Sequence, residues 1–402
     1  MKPSTWQAAR LAFGTASALG FARFAYGLLL PAMRDELHWS LAQAGAMSAA
    51  NGLGYLIGAL ATAAAVRRLG GAAAFRWGMA LTAVALAATA VSGAYPVLLV
   101  LRAAAGATGA VVFITGGVIA SRIAARAASG TPITVYFAGA GLGIVFGGAV
   151  IPALGSHWRT AWMVLGVAAG LAALASWTAA RTREDDAPAA AARRARIRPL
   201  WGTALAYLLF AAGYITYITF LSAYLADRNA PVAQVTLIWT VLGLAVVAAP
   251  ALWSGPITRW PGGRALAVLL AVLAAGAALA LVSPALPVVL ASAAVYGAAF
   301  MGVPAAVTAL IRNGTPADDW TATLAAFTTL FAIGQTAGPW IAGILADHTS
   351  TDATVAWTAV LCAVAAVIAA RIPHHRPDRP VPHVSSPSSG LSGRALPQGE
   401  QQ

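Results

Sequence analysis

Two arginines lie inside long apolar stretches of the sequence. Arg23 is in "ALGFARFAYGLLLPAM", residues 18–33, and Arg102 is in "VLLVLRAAAGATG", residues 97–109. A guanidinium stays charged in proteins, and its removal from water is costly unless a partner compensates it. All twelve Asp and Glu residues fall in loops, at helix ends or in tails. Two cations without a buried acid favour an anion, so we expect an anionic or carboxylate-bearing solute beside them.

Polar and aromatic residues at helical spacing extend this candidate binding site. Tyr26 follows Arg23 by three residues, which predicts that both lie on one helix face. The other candidates each lie within an apolar stretch: Asn51, Tyr55, Thr216, Tyr217, Tyr296 and Gln335. Each has an alternative role in packing or in hydrogen bonds between helices. Arg23 and Arg102 have a structural alternative too, in which the guanidinium bonds to backbone carbonyl groups.

The remaining reactive residue types argue against an enzyme. Lys2 is the only lysine, so neither a G-x-x-x-x-G-K phosphate loop nor Schiff-base chemistry is available. The six histidines lie in loops or in the tail, and Cys362 alone allows no Cys-based metal site. A solvated tail explains His374 and His375 better than a metal site, because no further ligands have suitable spacing. We expect no catalytic residue, no metal and no cofactor.

The composition and the apolar runs predict a membrane protein. Of the 402 residues 59% are hydrophobic and 9% are charged, against roughly 25% charged in soluble domains. Runs that can cross about 30 Å of hydrocarbon must be helices here, because they lack barrel alternation. They lie near residues 9–31, 40–64, 74–94, 96–118, 132–154, 160–179, 199–224, 233–254, 265–283, 286–311, 320–346 and 354–372. The predicted fold is all-α, with twelve transmembrane helices in two six-helix bundles.

The basic residues predict the orientation in the membrane. Of the 25 basic residues, only Arg34, Arg159 and Arg228 fall in loops on one side. Apart from Arg23 and Arg102, all the others fall on the opposite side, which the positive-inside rule makes cytoplasmic. We therefore expect both termini in the cytoplasm, in a bacterial inner (plasma) membrane. This asymmetry also accounts for the net charge of +13 without a nucleic-acid partner.

A charged, Ala-rich loop divides the spans into two sets of six. The predicted organisation is an N-terminal bundle over 1–179, a cytoplasmic linker over 180–198, a C-terminal bundle over 199–372 and a disordered cytoplasmic tail over 373–402. The halves align at a nearly constant offset. "GFARF" at Gly20 matches "GYITY" at Gly213, and "RRLGG" at Arg67 matches "RWPGG" at Arg259. Two parallel six-helix repeats are typical of major facilitator transporters.

Two motifs strengthen that resemblance. The fourth span reads L-x-x-x-R-x-x-x-G from Leu98 to Gly106, and the fifth contains "GAGLGIVFGG" from Gly139. Over residues 9–372 the chain resembles the major facilitator superfamily (MFS). Its first span, "GFARFAYGLLLPAM", is most similar to the YbfB/YjiJ-like branch. One departure is "AAAVRRLGG", where Arg67 replaces the aspartate that this family usually has and that helps to latch one conformation.

The resemblance implies a secondary active transporter that works by alternating access. It places helices 1, 4, 7 and 10 around a central cavity. Arg23 and Arg102 then lie about 12 Å and about 9 Å from the outer ends of helices 1 and 4, at about 1.5 Å per residue. It also implies that small residues of helices 5 and 11, between the halves, control conformational switching. These are Gly139, Gly143, Gly147, Gly148, Gly334, Gly338 and Pro339.

The expected partners are a small-molecule solute, a coupling proton or other ion, and the lipid bilayer, and we expect a monomer. Two alternatives remain at this point. One is a proton-linked exporter of amphipathic compounds, against which the lack of buried acids counts. The other is a non-transporting membrane sensor with the same fold, against which the lack of an appended soluble domain counts.

Overall fold

The structure, a computed structural model, describes residues 3–180 and 195–372. Within these ranges twelve helices are long and apolar enough to cross a membrane, and there is no β-strand. They are α1 (Pro3–Leu37), α2 (Leu41–Leu69), α3 (Gly71–Thr89), α4 (Tyr95–Arg126), α5 (Thr131–Leu154), α6 (Trp158–Ser176), α7 (Arg198–Ala226), α8 (Val232–Arg259), α9 (Arg264–Val282), α10 (Leu286–Gly314), α11 (Trp320–Asp347) and α12 (Asp352–Ala370). The all-α fold with twelve membrane helices is therefore confirmed. Most of the predicted linker and the whole predicted tail lie outside the described residues.

The predicted spans overlap all twelve helices, but the predicted first and last residues of several spans differ from the ends of the helices. Helix α1 covers Pro3–Leu37 instead of 9–31, and α4 continues to Arg126 instead of ending at 118. A hydropathy window finds the part of a helix that crosses hydrocarbon, whereas the helix itself continues until its end is capped. At the start of α2 this cap is visible, because Ser40 and Gln43 form a reciprocal capping box.

Helix α1 changes its hydrogen-bonding pattern midway. Residues Ala16–Phe24 form a π-helical segment, in which the i→i+5 pattern gives more residues per turn than an α-helix. Arg23 lies at the end of this segment, and the α-helix resumes at Ala25. The change rotates the residues on its two sides relative to one another. It therefore alters which side chains of α1 share a face.

We use "N-terminal half" for residues 3–180 and "C-terminal half" for residues 195–372. Helix α2 packs on α11, α5 on α8, and α1 on α7 across these halves. The backbones come so close that a Cβ added at Gly27 would overlap the carbonyl of Ile218, and one at Gly45 that of Pro339. Both contacts lie towards the end of the molecule that carries the α1–α2 connection and the last residue of α11, Asp347. We call this the closed end.

Candidate functional site

Arg23 lies at the boundary between the two halves. Its side chain projects from the π-helical segment of α1, and the residue is 6% exposed. One guanidinium nitrogen, Nη2, donates a hydrogen bond to Oε1 of Gln335 on α11. The guanidinium carbon also lies 5.4 Å from the centre of the Tyr55 ring on α2. Three of the predicted binding residues, from three helices and both halves, therefore meet at one point. We call Arg23, Tyr55 and Gln335 the interface triad.

The triad holds spare hydrogen-bond donors. In the described part of the chain, Nε of Arg23 and Nε2 of Gln335 are buried without a hydrogen-bond partner. The orientation of the Gln335 amide follows from chemistry, because only its oxygen can accept from Arg23, which leaves its NH2 group free. Unsatisfied donors in a buried site are costly. The arrangement suits a ligand that accepts hydrogen bonds and carries negative charge.

Arg102 also keeps two buried nitrogens, Nε and Nη2, without a hydrogen-bond partner among the described residues, but the contacts that it makes all lie within the N-terminal half. The residue is 1% exposed, and Nη1 donates to the carbonyl of Ala22 at 2.7 Å. Its guanidinium carbon lies 4.9 Å from the ring centre of Tyr26 and 5.2 Å from that of Trp162. Both rings make cation–π contacts with a guanidinium that is almost fully shielded from solvent. Arg102 is therefore held among helices α1, α4 and α6.

Tyr26 and Asn51 accompany Arg102 rather than Arg23. The hydroxyl of Tyr26 donates to the carbonyl of Ala44 at 2.8 Å, and its ring lies against Arg102. The Asn51 amide donates to the carbonyl of Arg102 at 3.1 Å and to that of Ala22 at 3.4 Å. The prediction that Tyr26 shares a face with Arg23 is wrong. Its three-residue spacing assumed an α-helix, whereas the π-helical segment ends between the two residues.

The predicted polar residues of α7 and α10 are hydrogen-bonded inside the C-terminal half. Thr216 donates to Ala212 on its own helix. The hydroxyl of Tyr217 pairs with Ser292, and that of Tyr296 donates to the carbonyl of Tyr214. The rings of Tyr217 and Tyr296 stack, with centres 4.0 Å apart. These hydroxyls and rings serve packing between α7 and α10, and the structure does not bring them to the triad.

Helices α5 and α11 do pack against the other half, as the resemblance implied, but most of the predicted switching glycines on them face their own half. Gly139 and Gly143 abut α1, and Gly334 and Gly338 abut α7. The reason is helical spacing, since residues four apart share one face and so meet one neighbour.

The nearest atoms to Gly147 are likewise in the N-terminal half. Two predicted residues do contact the other half: Gly148 lies against Trp239 of α8, and Pro339 lies against Gly45 of α2. A substitution meant to wedge the halves apart therefore belongs at Gly148 rather than at Gly143.

Polar contacts at the closed end were not predicted from the sequence. The Asp347 carboxylate accepts hydrogen bonds from the backbone N–H groups of Leu41 at 2.7 Å and Ala42 at 2.9 Å, so α11 caps the first turn of α2 across the halves. Ser48 of α2 pairs with Thr219 of α7 at 2.9 Å. When an acidic residue lies at the end of one helix, nothing in the sequence indicates that its carboxylate caps the first turn of a different helix. These contacts tie the halves together on the closed side of the triad.

The described residues contain no group of three or more His, Cys, Asp or Glu side chains that could hold a metal ion. The donors of the triad are a guanidinium and an amide, which do not suit a metal cation. The geometry therefore fits recognition of a solute and offers no nucleophile or proton-transfer pair.

Comparison with known proteins identifies the family and the fold. Residues 15–373 match the protein family described as "Uncharacterised MFS-type transporter YbfB". A single-site mutant of the nucleoside transporter NupG is similar in structure, with a TM-score of 0.72 and 13% identity, over 91% of this chain and 99% of that one. No curated protein matches the sequence.

Two further solved structures are similar. One is a bacterial homologue of the human lysosomal transporter Spinster in an inward-facing, unoccupied conformation, with a TM-score of 0.64 and 15% identity over 92% of this chain and 95% of that one. The other is the human organic anion transporter MFSD10, with a TM-score of 0.62 and 14% identity over 92% of this chain and 100% of that one. At such identities these structures show the shared fold alone.

Proposed function

Because the chain belongs to the family of YbfB-like MFS transporters, we propose that this multi-pass membrane transporter moves a small anionic or carboxylate-bearing organic solute by alternating access. The chain is thus a carrier and not an enzyme. The proposal adds the chemical class of the solute and the residues that bind it.

The observation that carries the proposal is the Arg23 guanidinium. It is buried at the boundary of the halves, its described hydrogen-bond partner is the neutral amide of Gln335, and its Nε has none. A buried charge without a counter-charge is unfavourable, and a bound anion offsets that cost. A planar guanidinium also holds a carboxylate by two parallel hydrogen bonds, which a lysine reproduces poorly. Arg23 is therefore the main anchor of the solute.

The location of the triad supports a role in alternating access. Arg23 and Tyr55 belong to the N-terminal half and Gln335 to the C-terminal half. An anion that accepts from both Arg23 and Gln335 is bonded to both halves at once. When the halves separate at the closed end, the contacts of Asp347 with α2 and of Ser48 with Thr219 must break. Solute binding and this separation are thereby linked at one interface.

The proposed orientation places both termini and the linker in the cytoplasm, with bundles over 1–179 and 199–372. The closed end then faces away from the cytoplasm. The uneven distribution of arginine supports this orientation. Cysteines in place of His38 and Ser350 should react with an impermeant reagent from outside, and one in place of Ala189 should not. The reverse labelling pattern would refute the orientation.

Uptake into proteoliposomes tests the proposed function. The purified full chain is offered a panel of radiolabelled organic anions, neutral analogues and cations, with and without a pH gradient. We expect saturable uptake of at least one anion, and its loss in Arg23→Ala at equal reconstitution. Uptake restricted to neutral or cationic compounds would refute the anion proposal. Accumulation of cations that requires the pH gradient would favour a proton-linked exporter instead.

A further inference from the structure

Two rows of aromatic side chains begin at the interface triad. In the N-terminal half, Tyr55 of α2 is followed by Phe113 of α4, with ring centres 6.4 Å apart, and then by Phe137 of α5 at 5.7 Å. All three side chains are partly exposed. Because Arg23 lies over the Tyr55 ring, this row starts directly beneath the guanidinium.

The second row lies in the C-terminal half and starts one helical turn from Gln335. Phe331 of α11 is partly exposed and stacks on Tyr214 at 5.5 Å and on Tyr207 at 5.0 Å. Phe210 completes the stack, with its ring centre 4.8 Å from that of Tyr214. One row therefore starts beside Arg23 and the other beside Gln335, the two residues that are hydrogen-bonded across the halves.

Both rows extend away from the closed end. Helix α2 begins at the closed end, so Tyr55 lies beyond Asn51 in the opposite direction. Helices α7 and α11 run towards the closed end, so Tyr207 and Phe331 lie on the far side of Thr219 and Gln335 respectively. Aromatic faces of either half thus lie on the side of the triad that is away from the closed end.

Arg23 is the one formally charged residue among the three members of the triad. Arg102, the other arginine deep in a span, makes its ring contacts with Tyr26 and Trp162 and its hydrogen bond with Ala22, all in its own half, so it offers the triad no direct contact. A second negative charge on a solute would face aromatic rings without a counter-charge, which is unfavourable. The site therefore matches an anion with a single charge.

We infer that the solute is an aromatic monocarboxylate whose carboxylate accepts hydrogen bonds from Arg23 and Gln335 while its ring packs between Tyr55 and Phe331. This inference rests on the proposed function and specifies its solute class. Aromatic rings prefer offset or edge-on contact with other rings, and such a pair contributes beyond simple burial of area. A saturated ring of the same size lacks this contribution.

Four related compounds test the inference by calorimetric titration of the full chain in lipid nanodiscs at neutral pH. Phenylacetate carries a ring and one charge, and cyclohexylacetate replaces the aromatic ring with a saturated one. Homophthalate adds a second carboxylate, and phenylacetamide removes the charge. We expect phenylacetate to bind about three- to tenfold more tightly than cyclohexylacetate. Its advantage over homophthalate and over phenylacetamide should be larger than that.

A matched pair of variants localises the ring contact. Phe331→Leu should reduce the preference for phenylacetate over cyclohexylacetate towards one. Phe13→Leu is the control, because Phe13 is 43% exposed and belongs to neither aromatic row, and it should leave the preference unchanged. Loss of the preference in both variants, or in neither, would overturn the assignment to Phe331.

The outcomes separate the inference from the proposed function. Equal binding of phenylacetate and cyclohexylacetate would overturn the aromatic class while leaving an anion carrier intact. Homophthalate binding as tightly as phenylacetate would overturn the single charge. Phenylacetamide binding as tightly as phenylacetate would refute the anion proposal itself, and the absence of binding by both ring monocarboxylates would overturn the inference.

Discussion

The surroundings of Arg23 and of Arg102 differ although both arginines are buried inside membrane helices. Arg102 is enclosed by two aromatic rings and a carbonyl group of its own half. Within the described part of the chain both guanidinium groups keep buried nitrogens without a hydrogen-bond partner, Nε in Arg23 and Nε and Nη2 in Arg102, but Arg23 reaches across to Gln335 of the other half. A charge whose contacts all lie inside one half moves with that half as a rigid part. A charge between the halves changes its contacts whenever they move, so only the second kind can couple a solute to the motion.

The largest effect is expected at Arg23. Arg23→Ala removes the anchor of the anion and should lower transport at least about 100-fold, since a charge-assisted hydrogen bond contributes about 1.5–3 kcal/mol and a bidentate pair more. Arg23→Lys keeps the charge but loses the planar fork, so affinity should fall by about 1–3 kcal/mol. Both variants should insert normally. Undiminished transport by Arg23→Ala at normal expression would contradict the proposed site.

Arg102 should show the opposite pattern. Arg102→Ala leaves a void between Tyr26 and Trp162 and should lower the free energy of unfolding by about 2–4 kcal/mol, measured as a lower melting temperature in detergent. Transport per folded molecule should stay within about threefold of the wild-type rate. A variant with normal stability and abolished transport would instead assign Arg102 to solute binding and remove the distinction between the two arginines.

The side-chain amides of Gln335 and Asn51 test the same difference between the Arg23 and Arg102 sites, with a smaller expected effect. Gln335→Leu removes a donor that belongs to the triad, so the dissociation constant of a transported anion should rise about tenfold. Asn51→Leu removes an amide that bonds only to Ala22 and Arg102 among the described residues, so it should lower stability and leave affinity unchanged. Titration calorimetry and thermal melting on both variants distinguish the outcomes. Equal loss of affinity in both would contradict the separation.

The smallest effect is expected at the closed end. Asp347→Ala removes a cap across the halves, worth about 0.5–2 kcal/mol, and should populate the conformation in which the closed end is open. A cysteine in place of Thr219, whose side chain is 2% exposed, should then be labelled about 2- to 30-fold faster.

The matched control is Asp352→Ala, because Asp352 pairs with Arg228 of its own half at the same end. This variant should leave labelling of the Thr219 cysteine unchanged. Faster labelling in the control as well would mean that general loosening, and not the cap from Asp347, opens the closed end.

The number and type of the helices could be predicted from the sequence, whereas most contacts of the site could not. Hydropathy found all twelve helices, and the lack of buried acids drew attention to Arg23. The structure places Tyr55 and Gln335 with Arg23, but Tyr26 and Asn51 with Arg102. Spacing rules failed at Tyr26 because the π-helical segment interrupts the period that they assume. No pattern signalled Asp347, since its partners are backbone N–H groups of a distant helix.

The sequence by itself determined that this chain is a twelve-helix membrane protein with two isolated charges, because lipid forces each long apolar run into a helix and makes a charge within it costly. Only the tertiary structure decided which charge faces the other half. Each helix has neighbours on several sides, and its rotation about its own axis is set by packing, here by the close contacts of α1 with α5 and α7. That rotation encloses Arg102 within one half and leaves Arg23 between the two.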